Sequence, residues 1–202
     1  MSPRKAAALR ATDDTLRDHL VATAQRLLAD GSAATLTVRA IARAAGVADG
    51  VLYNHFPDKD ALLAVAVRAH VDAAHRALGS LPAPGEATVA ENLRIYLSAG
   101  LDLHRAVLPV FAGLLSAPAV LDRFAQLPTD QPDWRVLLSD YLAGERRLGR
   151  LAPDADIAAA AAVLVGICHD RVLNAVLPGM SPPAVEPAAV VATLLDGIGP
   201  TT

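Results

Sequence analysis

The sequence predicts an all-α protein: an N-terminal three-helix helix-turn-helix head followed by a larger C-terminal helical bundle. Three observations lead there. The composition is 53% hydrophobic but only 3% aromatic, rich in alanine and poor in β-branched runs, which favours helix over sheet. Apolar residues recur at helical spacing in segment after segment. Two short helical segments flank Gly46, the layout of a helix-turn-helix.

The elements follow in chain order. From Asp13 to Asp30, Leu16, Leu20, Ala24, Leu27 and Leu28 share a face, with Thr12 or Asp13 as N-cap and Gly31 as the stop. Thr37 caps a second helix, Val38 to Ala45, which ends at Gly46; Val47 precedes a third that ends near His55. Pro57 cannot continue that helix, whereas Asp58 can cap a fourth, with Asp60 complementing its dipole. The fourth helix runs to about Leu78 with an apolar stripe of Leu62, Leu63, Val65, Ala66, Ala69 and Ala73. It suits a connector, and the division expected is a head of residues 1–60 and a body of residues 61–202.

Residues 79–85 hold two prolines and two glycines and read as a loop. Helices follow from Glu86 to about His104 and from Arg105 to Ser116, a region that Pro109 should kink or split. Pro118, Pro128 and Pro132 bracket a short helix, and Asp133 to Leu148 forms another. Asp154 is placed to cap a long apolar helix reaching about Leu177, which Pro178, Gly179, Pro182 and Pro183 break. A last helix runs from about Val185 to Ile198.

Composition narrows the functional classes. A single cysteine, Cys168, rules out an internal disulfide, and no Cys/His cluster has zinc-site spacing, so neither metal nor cofactor is expected. Met1 to Arg10 lacks the apolar core of a signal peptide, and the Ala158 to Ile167 run is shorter than the roughly 20 residues of a spanning helix. A soluble cytoplasmic protein with no membrane partner is expected. The net charge of −3 divides into 8 basic and 7 acidic residues in 1–60 against 10 and 14 in the rest. That asymmetry has the sign of a nucleic-acid-binding head, but its size decides nothing.

The segment LTVRAIARAAGVADGVLYNHFPDKDALL, Leu36 to Leu63, carries the chemistry. Leu52 and Phe56 can pack inward with Ile41, Ala42 and Ala45, which leaves Asp49, Gly50, Tyr53 and Asn54 on the other face of the third helix. There Asn54 can pair with an adenine edge or bond a phosphate, Tyr53 can donate to phosphate, and Gly50 permits close approach. Arg39 could reach a guanine edge or the backbone. Lys59 with the free amides at the start of the fourth helix makes an anion site, and Thr37 is first a cap whose hydroxyl or amide can also touch phosphate.

The string T-V-R-x-I-A-x-x-A-G-V-x-x-G-x-L-Y-x-H-F-x-x-K, Thr37 to Lys59, resembles the signature of TetR-type one-component repressors; past about residue 65 the resemblance is architectural only. It implies that Arg39, Asp49, Gly50, Tyr53, Asn54, His55 and Lys59 stand at DNA-facing positions. It also implies a ligand pocket and a dimer interface in the C-terminal helices. Two residues depart from the pattern: Ala48 stands where the family often has serine, and Val51 where it often has threonine. Asp49 would repel phosphate, yet it can accept from cytosine N4 or serve only as an acid at a helix N-terminus. The His55 ring can pack within the head as readily as it can reach a phosphate.

For the body, Tyr96, His104, Phe111, Trp134 and Tyr141 are candidate ligand contacts that plain core packing explains equally well. His169, Asp170, Arg171 and Asn174 interrupt an apolar helix and are candidates too, although an ion pair accounts for Asp170 and Arg171. The effector expected is small and apolar or mildly polar. Ala158 to Ala162 with Gly166 form a smooth helix face, and Val190, Val191, Leu194, Leu195 and Ile198 a second stripe. Together these suit a four-helix homodimer interface that would match two half-sites of a near-palindromic double-stranded operator.

The reading is a DNA-binding repressor released by a small molecule. A helical interaction protein with impaired DNA binding is the alternative that Ala48, Asp49 and Val51 keep open. A small helical enzyme would need a nucleophile with a facing base, and Cys168 beside His169 does not provide one, since neighbours on a helix project about 100° apart.

Overall fold

The computed structural model describes residues 3–30, 36–176 and 185–197. Among these it contains nine α-helices and no strand. They are α1 (Pro3–Ala29), α2 (Val38–Ala45), α3 (Asp49–His55), α4 (Lys59–Ala77), α5 (Val89–Gly113), α6 (Pro118–Gln126), α7 (Trp134–Arg147), α8 (Ile157–Val176) and α9 (Pro187–Asp196).

Local chemistry explains most boundaries. The Thr37 hydroxyl accepts the Ala40 amide at 3.1 Å, and Gly46, at φ 70°, closes α2 in the left-handed region that glycine enters without a Cβ penalty. The Asp58 carboxylate accepts the Ala61 amide at 2.9 Å and so starts α4. Thr88 and Glu91 accept each other's backbone amides at 3.1 Å, a capping box that begins α5 at Val89 rather than at Glu86.

Three further features differ from expectation. The first helix begins at Pro3, so neither Thr12 nor Asp13 caps it; a proline suits a first turn, and the residues that follow are good helix formers. Pro109 does not split α5: Leu101 and Leu103 before it and Val110 and Leu114 after it are buried, and that packing outweighs one missing hydrogen bond. Asp156, not Asp154, caps α8 by accepting the Ala159 amide at 3.0 Å. Gly31, Leu177, Pro178, Gly179, Pro182, Pro183 and Ile198, assigned to helix ends above, lie outside the described residues.

The chain forms two compact units, Met1–Ala74 with Pro109–Thr129, and His75–Leu108 with Asp130–Thr202. The first does not stop at residue 60. Leu62, Leu63 and Val67 of α4 with Val110, Leu114 and Val120 complete a core around Leu20, Leu28, Ile41, Leu52 and Phe56.

In the second unit Leu93, Leu97, Leu138, Leu142, Leu164 and Val172 are buried. Glu145, with no exposed surface, accepts from the Tyr141 hydroxyl at 2.8 Å and the Gly85 amide at 3.3 Å, and lies 3.3 Å from the Arg150 guanidinium. Within α8 the 19-residue stretch Ile157–Ala175, mean hydropathy 1.4, is long and apolar enough to cross a membrane, longer than the alanine run alone suggested. It also carries Asp170 and Arg171, and one of its faces enters the core through Ala161, Leu164, Val165 and Cys168.

Candidate nucleic-acid interface

Two short helices joined at Gly46 position the candidate surface. Ile41, Ala42, Leu52 and Phe56 turn inward and are buried, and the His19 ring braces α2 by donating from Nε2 to the Ala45 carbonyl at 3.0 Å. What α3 leaves outside is Asp49, Gly50, Tyr53 and Asn54, all exposed, Tyr53 by 58%. A Cβ added to Gly50 would meet nothing within 4 Å, so open space lies over this helix. The surface is polar, exposed and free of core duties, as a helix that enters the major groove requires.

Arg39 and Asp49 meet across the turn, Nε to Oδ2, at 3.4 Å, with side chains 87% and 51% exposed. Sequence spacing did not signal this pair. Thr37 is exposed and is occupied as the α2 cap. Lys59 is half-buried at the start of α4. Asp58 already takes the Ala61 amide there and is held in turn by Arg123 of α6 at 2.5 Å, which narrows the anion site expected at that helix start. The Arg123 hydrogen bond holds the Asp58 carboxyl below the usual carboxylate range.

His55 is placed differently from its neighbours. Its side chain is only 5% exposed, with Nδ1 3.5 Å from the Asp13 carboxylate, a position that favours the packing role over a phosphate contact. Arg17 lies over the Phe56 ring at 5.0 Å. Arg17, His55 and Phe56, with Pro57, Ala61, Ala64, Val65, Arg123, Gln126 and Leu127, line an open groove of about 400 Å³ beside the end of α3. Asp13 and Arg17 of α1 meet His55 and Phe56 at the end of α3, and Arg123 of α6 holds Asp58 just after it; their distance along the chain hid them from motif reading.

The ligand candidates fall into separate groups. In the second unit Tyr96 stacks on Tyr141 at 4.5 Å and tilts against Trp134 at 5.9 Å, all three buried. Trp134 lies so close to Gly100 that an added Cβ would stand 2.8 Å from its ring nitrogen. His104 and His169 meet edge to face at 4.9 Å. Phe111 belongs to the first unit, against Phe124 at 5.2 Å. Asp170 accepts from Asn174 at 2.8 Å within α8, while Arg171 donates to the Val185 carbonyl at 2.7 Å, so these two neighbours do not pair with each other. Among the described residues no group of three or more His, Cys, Asp or Glu could hold a metal ion.

Comparison with known proteins agrees with this geometry. Residues 20–75 match the family model of bacterial regulatory proteins of the tetR family. The chain is 26% identical over 197 residues to the HTH-type transcriptional regulator EthR of Mycolicibacterium smegmatis, covering 96% of this chain and 88% of that protein. Among solved structures, the fatty acid degradation regulator FadR from Bacillus halodurans superposes with a TM-score of 0.62 at 23% identity, over 90% of this chain and 95% of that one. The transcriptional regulator FadR from Bacillus subtilis, solved in complex with stearoyl-CoA, gives a TM-score of 0.56 at 18% identity over 90% and 98%. These two share the fold.

Proposed function

We propose that this chain is a DNA-binding transcriptional regulator of the TetR type, to which residues 20–75 and the full-length relative are similar, and that it acts as a cytoplasmic homodimeric repressor released from its operator by a small molecule. The observation that carries the reading is the exposed face of α3, where Tyr53, Asn54 and Asp49 surround an unobstructed Gly50 while Leu52 and Phe56 anchor the helix from behind. Asn54 and Arg39 read base edges; Tyr53, Thr37 and Lys59 fix the register on phosphates.

Dimerisation is supported by two stripes left exposed in the single chain. Ala161, Val190 and Val191, expected at the interface, are buried within the single chain, whereas Ala159, Val163, Gly166 and Leu173 follow one exposed side of α8, and Ala188, Ala192 and Leu195 one of α9. Small residues along both let two copies approach closely, and a two-fold pair of heads matches a near-palindromic site.

The effector is apolar or mildly polar and enters the second unit near Tyr96, Trp134, Tyr141, His104 and His169. The neighbour that holds stearoyl-CoA makes an acyl-chain compound a reasonable first trial. An enzymatic role has little support: Cys168 is 1% exposed, and burial pushes its thiol up to about 11, far from the thiolate that a nucleophile needs.

The test is selection of genomic fragments by the purified protein at fixed salt, followed by titration of the best site with and without candidate effectors. A near-palindromic site bound at nanomolar concentration and released by effector is the expected result. Weak, salt-sensitive, sequence-blind binding would overturn it and favour the interaction-protein reading, which the absence of a capping side chain at Ala48 supports.

A further inference from the structure

Asp49 is an acid on a surface that must approach polyphosphate, and its only described side-chain partner is Arg39. The pair is largely exposed at 3.4 Å, and exposed pairs of this kind contribute little to folding. The pair's own contribution to folding therefore does not explain the acid, and although a first-turn acid suits the α3 dipole, its charge opposes DNA binding in general. What it does explain is the pose of the arginine. The Asp49 oxygen engages Arg39 at Nε, the inner edge of the guanidinium. Among the described residues neither terminal nitrogen of Arg39 takes part in a hydrogen bond, and those two nitrogens form the fork that recognises guanine O6 and N7 together.

We propose that Asp49 is a specificity-determining positioning residue: it fixes the Arg39 guanidinium across the α2–α3 turn so that its terminal fork reads one guanine of the operator. The proposal rests on the regulator reading above. An unbraced Arg39, 87% exposed, is free to settle on any nearby phosphate, where it adds affinity but no selectivity. With Asp49 in place the nearest phosphates are disfavoured and the base edge is preferred. When the groove excludes water, the pair strengthens as its surroundings lose dielectric screening. Asp49 thus weakens binding to arbitrary DNA and sharpens binding to the correct site, two effects of opposite sign from one carboxylate.

The experiment uses the full-length protein, its selected operator, a set of operators carrying single base-pair changes, and unrelated duplex DNA, all at one salt concentration. The variants are Arg39→Ala, Asp49→Ala, Asp49→Asn and the Arg39→Ala/Asp49→Ala double. The base pair that Arg39 reads is the one at which Arg39→Ala loses discrimination. Asp49→Ala is expected to lose about tenfold of the preference for guanine at that same pair, in the range of one bidentate contact. It should also bind unrelated DNA several-fold more tightly. In the Arg39→Ala background, removal of Asp49 should cost no further discrimination.

Three results overturn the proposal. Discrimination that is unchanged in Asp49→Ala means that the pair is incidental. Loss of discrimination at a different base pair, or a further loss in the double variant, means that Asp49 reads a base itself. A loss of all binding with altered helical content means that Asp49 only supports the fold, and Asp49→Asn, which keeps the shape at the helix start, separates that case. If the parent protein selects no operator, the regulator reading fails together with this one; if it does and only the Asp49 results differ, this inference alone fails.

Discussion

The rings of His104 on α5 and His169 on α8 meet edge to face, 4.9 Å between centroids, while the His104 Nδ1–H donates to the Gly100 carbonyl at 2.6 Å. Burial holds His104 below the ordinary imidazole value of 6.5, and the neighbouring His169 and His75 act in the same direction; the Gly100 carbonyl and Asp133 oppose it. Because the folded value is depressed, the unfolded chain takes up the proton first. The stability from a neutral His104 is therefore complete above the unfolded value and is lost as pH falls below it. Thermal unfolding between pH 7 and 5 should show a declining Tm that His104→Gln flattens. An unchanged slope in that variant would assign the acid sensitivity to another group.

Gly50 separates folding from DNA recognition. Open space above it leaves room for a methyl group, and alanine in a helix interior is more stable than glycine by about 0.5–1 kcal/mol. Gly50→Ala should raise Tm by about 1–4 °C. If α3 enters the groove as proposed, the same methyl meets the DNA, so operator affinity should fall by on the order of tenfold, the scale of one lost base contact. Calorimetry and titration together check the opposite signs.

Glu145 is buried with its charge answered by Arg150, the Tyr141 hydroxyl and the Gly85 amide. Glu145→Ala removes the acceptor that all three share and should cost about 3–5 kcal/mol in urea unfolding. Glu145→Gln keeps the shape and part of the hydrogen bonding, so it should lose distinctly less. Equal losses would show that volume, not the carboxylate, is what the site needs.

The exposed stripe of α8 predicts an assembly defect. Val163→Arg with Leu173→Glu alters two outward residues, 48% and 44% exposed, without touching the core. Sedimentation should show a monomer of unchanged helical content, with operator affinity down by about 100-fold or more through loss of two-site binding. A variant that stays dimeric would move the interface elsewhere.

Where a residue's role is set by chemistry within a few positions of it, the sequence was legible. The Thr37 cap, the Gly46 turn, the Asp58 start of α4 and the Asp133 start of α7 each follow from a side chain and an amide two or three residues on. Asp156 was missed in favour of Asp154 because both are acids ahead of the same apolar run, and only the backbone decides which reaches a free amide. Contacts across ten residues or more left no local trace: His55 beside Asp13, Arg123 on Asp58, and Arg39 with Asp49 arise from packing. Phe111 shows the same limit, since nothing in its surroundings along the chain says that it joins Phe124 in the first unit rather than Tyr96 in the second.

Trp134, pressed against Gly100 and beside Tyr96, is the single tryptophan of the chain. The protein therefore carries its own optical gauge in the second unit: excitation at the red edge reports that indole alone, with no dye and no engineered label. Emission that shifts or quenches on adding a compound places the compound near the aromatic cluster. Emission that stays fixed while DNA is released places the controlling event elsewhere.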